Sequence, residues 1–110
     1  MTLPNADRAV IDGAKIRDYL LSDTHPIGRF KATFFEGLGY SDGNWERLRD
    51  DLLTLARTTP AAPGKPSPFG RTFLVDGMLT GPLERSAEVR TVWFIHASEE
   101  VPRFITAFPR

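Results

Sequence analysis

The chain contains no cysteine at all. That one absence removes disulfide staples, thiolate nucleophiles and cysteine-ligated zinc or iron–sulfur centres together, and it fits a reducing compartment. Long apolar runs are missing too. No stretch approaches the roughly 20 residues a membrane-spanning helix needs. The start, Met1-Thr2-Leu3-Pro4-Asn5, lacks the basic segment and apolar run of a secretory leader. A cytoplasmic protein with no membrane association is therefore expected. Net charge is also absent: 14 basic side chains face 14 acidic ones, divided 8 to 9 over residues 1–57 and 6 to 5 over residues 58–110. Neither half carries the basic excess of a strong non-specific nucleic-acid binder, although a local basic pocket is compatible with an even balance. There is no P-loop lysine motif, no G-x-S-x-G elbow and no histidine pair at ligand spacing, so neither a metal nor another cofactor is expected.

What remains is ordinary globular material. The 110 residues are 41% apolar and 25% charged, with eight Phe, two Trp and two Tyr as large burial units. That length suits one domain spanning 1–110 and leaves no room for two cores. Asp12 is a reasonable N-cap for a helix near 13–21, with Ile16, Tyr19 and Leu20 on one face, and Ala9-Val10-Ile11 reads as a short edge strand. Pro26 suits the first turn of a second helix running to about Gly37, where Gly37 and Gly39 act as stop signals. A third helix spans about Asn44 to Arg57, with Trp45, Leu48, Leu52, Leu55 and Ala56 as its apolar stripe. Residues 58–68 hold Pro60, Pro63, Pro66 and Pro68 and read as a connector between a helical part, 12–57, and a sheet part, 69–108. Strand-like alternation then follows over 69–80, 87–97 and 102–108. The expectation is an α+β fold, three N-terminal helices packed on one face of a three- to four-stranded antiparallel sheet.

The second helix holds the chemical anomaly. At 100° per residue, Phe30, Phe34, Ile27, Leu38 and Phe35 fill one arc, and Lys31 falls inside it, whereas Arg29 and Glu36 lie opposite. A lysine in an apolar face must snorkel to solvent, form a salt bridge, or point into a pocket where it can bind phosphate or stabilise developing negative charge. His25 stands just before Pro26 at a helix start, as a general acid or base or simply as an exposed loop or capping residue. On the sheet, Glu88, Arg90 and His96 share one side of a strand, but Glu88 and His96 are about 26 Å apart along it and cannot flank one phosphate. Glu88 with Arg90 remains feasible as a pair.

Several segments together resemble one small bacterial family, the domain of unknown function numbered 6883. They are Leu3-Pro4-Asn5-Ala6, Lys15 through Asp18-Tyr19-Leu20-Leu21, His25-Pro26-x-Gly28-Arg29-x-Lys31-Ala32-x-x-Phe35, Leu38-Gly39-Tyr40, Arg90-Thr91-Val92-Trp93 and Pro102-Arg103-Phe104-x-Thr106-Ala107-Phe108-Pro109. The order of helices before sheet also resembles the ribonuclease fold of barnase and the RelE-type toxins. That resemblance implies a metal-independent ribonuclease or toxin-like effector acting on RNA. Its catalytic groups would be His25, Lys31 and Arg29 from the helical side, with Arg90 and Thr91 from the sheet. Thr91, however, shares strand parity with the apolar Val89, Trp93 and Ile95. The alternative is a non-catalytic protein-binding module, an immunity or antitoxin-like partner. RNA and a cognate immunity or antitoxin protein are the expected partners.

Overall fold

A computed structural model describes residues 1–22 and 28–110, with the backbone alone at 28–30. Three helical segments lead. The first, α1 (Gly13–Lys15), starts where the Asp12 carboxylate accepts from the Ala14 N–H at 3.0 Å, and it runs on into a π-helical turn, Ile16–Leu20. The second is α2 (Gly28–Gly37), and the third is α3 (Trp45–Thr58). Gly39 ends α2 in the left-handed region, at φ 104°. There its N–H donates to Glu36 and the N–H of Tyr40 donates to Phe35, satisfying two terminal carbonyls in a Schellman arrangement. Tyr40 and Phe35, both buried, supply the apolar contact that accompanies such caps.

The strands form a four-stranded antiparallel meander in the order β1-β2-β3-β4: β1 (Ala61–Ser67), β2 (Gly70–Thr80), β3 (Ser86–His96) and β4 (Arg103–Pro109). The fold is thus α+β, helices before strands, as the sequence pattern implies. The proline-rich stretch 58–68 corrects that pattern, because most of it is β1 rather than a connector. Proline lacks a donor for the ladder and is confined to edges, and β1 is an edge strand whose register slips between Pro63 and Pro66. The short strand expected at Ala9–Ile11 shrinks to a single parallel bridge, Val10 to Arg103.

One sheet face is buried: Phe73, Val75 and Leu79 of β2 and Val89, Trp93 and Ile95 of β3 join Ile16, Leu20, Phe35, Leu38, Leu48 and Leu52 from the helices in one cluster, with the polar Thr91 buried on the same face of β3. The opposite face carries Asp76, Arg90 and Val92, all half-buried. Among the described residues no helix is long and apolar enough to cross a membrane.

Candidate functional site

β4 changes its facing by one residue. Val92 pairs with Thr106 but Trp93 pairs with Phe104, so Ile105 is an extra residue, a bulge at the free side of the sheet. From the bulge onward Ala107 turns into the core while Thr106 and Phe108 alternate with it and point away. Opposite them, the π-helical turn adds a residue to its helical repeat. Ile16 and Leu20 are buried there, and half-buried Tyr19 is directed at β4.

Lys31 completes the group. Its ammonium donates to the Tyr19 hydroxyl at 2.6 Å and to the Thr106 hydroxyl at 2.7 Å, and it lies 4.7 Å from the Tyr19 ring and 5.6 Å from that of Phe108. The arc position of Lys31 is therefore resolved by two neutral hydroxyls. Among the described residues no carboxylate lies within ion-pair distance of it. Burial opposes ionisation of Tyr19. Hydrogen bonds from Lys31 and Thr106, with the charges of Lys31 and Lys15, outweigh it and hold the phenol below the usual tyrosine value. Lys15, Asp18, Tyr19, Ile105 and Thr106 line an open depression that shares Tyr19 and Thr106 with the Lys31 cluster.

Arg90 lies on the same outward side of the sheet. Its Cα partners are Asp76 on β2 and Phe108 on β4, and directly opposed residues in an antiparallel ladder share a face. The guanidinium makes a bidentate pair with Asp76, at 2.8 and 2.9 Å, and Arg110 adds a third contact to that carboxylate at 2.7 Å. The bonds from Arg90 hold the Asp76 carboxyl below the usual carboxylate range, against a smaller opposing effect of burial. The pairing of Arg90 with Glu88 that the sequence leaves feasible is not the one formed: Glu88 meets Arg110 at 3.4 Å, because register sets Asp76 opposite Arg90. His96 sits at the far end of β3, edge-on to Phe94.

The other sequence-derived candidates fall elsewhere. Thr91 is fully buried, donating to the Val75 carbonyl and accepting from the Trp93 indole, both at 2.8 Å, so its hydroxyl is inaccessible to any substrate. His25 lies outside the described residues, and of Arg29 the structure describes only its place in the first turn of α2. Tyr19 is the participant that pattern reading missed, because it reads as one more apolar-face residue. Thr106, 75 residues from Lys31, is a residue that could join a site only through strand register, which the local sequence does not give. Among the described residues no three His, Asp or Glu side chains converge as a metal-ligand set.

Comparison with known proteins bears on the fold and the family. The profile of "Domain of unknown function (DUF6883)" matches residues 2–110, and the chain belongs to that family. No curated protein matches the sequence. A solved chain from a contact-dependent growth inhibition toxin–immunity protein complex of Klebsiella pneumoniae 342 is similar in structure, with a TM-score of 0.74 at 16% identity. The match covers 93% of this chain and 100% of that one.

Proposed function

We propose that this member of the DUF6883 family is a toxin-like effector domain that cleaves RNA by metal-independent acid–base chemistry at the Tyr19–Lys31–Thr106 cluster. One observation carries the reading. A lysine ammonium is held by two hydroxyls, with no described carboxylate within ion-pair distance, next to an open depression and a phenol whose ionisation is favoured. Such a charge suits the phosphate of a substrate and the extra negative charge of its transition state. The shared fold with a chain from a toxin–immunity complex supports the same direction.

In this reading the 2′-hydroxyl of RNA gives its proton to a base and attacks the adjacent phosphorus. The P–O5′ bond then breaks as an acid protonates the leaving oxygen, leaving a 2′,3′-cyclic phosphate and a 5′-hydroxyl. Lys31 holds the non-bridging oxygens, and Tyr19, with its lowered pKa, serves as the base. His25, three residues before Gly28 in the sequence, is the acid. Arg29 and Arg90 are the further phosphate contacts. A cognate immunity protein would neutralise the domain by covering this cluster.

A second reading, a protein-binding module of the immunity type, draws on the zero net charge and on the exposure of Phe69, Met78 and Leu83. Two measurements separate the two. Expression of the wild-type chain should arrest growth and purified protein should cut RNA to cyclic-phosphate ends. Lys31→Ala and Tyr19→Phe should relieve both while melting close to wild type. Intact RNA after incubation with folded wild-type protein would refute the nuclease.

A further inference from the structure

We infer that Phe108 is a stacking platform for an unpaired nucleobase, which makes single-stranded RNA the substrate class of the site; the inference rests on the nuclease reading and extends it. Phe108 is one of the large aromatic side chains that the fold does not use for its core. It is half-buried, yet it belongs neither to the buried cluster nor to the partly buried residues packed against it. It alternates with the buried Ala107 and so faces outward. Two cations lie near it: Lys31, whose Nζ is over the ring at 5.6 Å from its centroid, and Arg90, its partner in the ladder.

The positions of the two cations decide what the ring can receive. Lys31 approaches from α2 at the β4 edge, together with Thr106, while Arg90 stands across the ladder in its bidentate pair with Asp76. A phosphate at Lys31 therefore has an aromatic face immediately beside it, on the same outward side of the sheet. Cationic grooves interleaved with aromatic rings bind single strands by this division of labour: charge tracks the backbone, and rings take the bases. A base stacked within a duplex has no free π-face, so a platform at this place discriminates against duplex. An acidic peptide would satisfy Lys31 but would bring no flat ring to stack on Phe108, so the pairing of cation with aromatic ring favours a nucleotide.

The test uses the full chain and a short 2′-O-methyl oligonucleotide carrying 2-aminopurine. This probe cannot be cleaved by attack of its own 2′ oxygen, and its fluorescence is quenched on stacking. Wild type should bind the single strand with quenching. Phe108→Ala and Phe108→Leu should each weaken binding by about 5- to 150-fold and abolish the quench. Phe108→Trp should retain both. The leucine variant keeps apolar bulk without an aromatic face, so a loss shared by both variants, with melting unchanged, reports stacking rather than packing. Equal affinity and equal quenching in wild type and Phe108→Leu would overturn the platform, as would binding of the duplexed probe as tightly as the single strand. A wild type that binds neither form would overturn it too. Cleavage of unmodified RNA by the same preparation is read separately: a nuclease indifferent to Phe108 refutes this inference alone, and a protein that quenches the probe but cuts nothing refutes the nuclease alone.

Discussion

Tyr19 and Tyr40 are the two tyrosines of the chain, and they sit in opposite electrostatic settings. Tyr40 is buried at the end of α2, and its hydroxyl donates to the Asp51 carboxylate of α3 at 2.6 Å. Burial and that carboxylate together push its pKa far up. Tyr19 meets Lys31 instead, and its pKa moves down. The same contrast divides the two threonines on neighbouring strands. Thr91 is sealed in the core between a carbonyl and an indole, whereas Thr106 is half-buried and holds a cation. In each pair one member is bonded to core groups or to a carboxylate, and the other belongs to the Lys31 cluster at which catalysis is proposed. Titratable groups of one type pushed in opposite directions are a signature of assigned chemical roles.

Removing Lys31 breaks the contrast most completely. Lys31→Met should lower RNA cleavage by about 100- to 1,000-fold, the scale of losing one transition-state charge contact. It should also move the Tyr19 step in a tyrosinate absorbance titration back towards the usual value. Retained cleavage with a shifted Tyr19 would separate the electrostatics from the catalysis and sink the assignment of Lys31.

The structural members should fail differently. Tyr40→Phe should cost about 1.5–3 kcal/mol in denaturant unfolding, the scale of a hydrogen bond to a charged group. Thr91→Val, which orphans the Val75 carbonyl and the Trp93 indole on that side, should cost about 1–3 kcal/mol. Neither should alter cleavage per folded molecule. A selective loss of cleavage in Thr91→Val would restore that residue to the site and undo the comparison of the threonines.

Alkaline pH separates the tyrosines further. A folded pKa above the unfolded value near 10 means that the stability Tyr40 contributes is full below pH ~10 and is lost as pH rises further. For Tyr19, with a folded pKa below that value, the contribution is full above pH ~10 and disappears as pH falls through the folded pKa. Comparing unfolding of Tyr19→Phe and Tyr40→Phe with wild type on either side of pH ~10 should therefore give pH dependences of opposite sign. Parallel curves would show that the two settings are equivalent. The smallest effect belongs to Arg103→Ala: its pairing with Glu99, at 2.9 Å on the surface, should change stability by no more than about 1 kcal/mol.

Much of this was legible in the sequence. The order of helices and strands follows from local periodicity and from stops such as Gly39, whose left-handed turn is needed to satisfy the end of α2. The parity of Thr91 with Val89 and Trp93 already put it on the core face. Lys31 stood out because a helix arc is computed from positions a few residues apart, and a charge among phenylalanines needs a reason. The strand β1 was missed because prolines read as breakers, and only its place at the sheet edge makes them tolerable. Asp76 as the partner of Arg90, the bulge at Ile105, and the meeting of Tyr19 with Thr106 were decided by the tertiary structure alone. Local spacing determines which face a residue occupies; what it meets there depends on strand register and chain closure across dozens of residues, which no local pattern encodes.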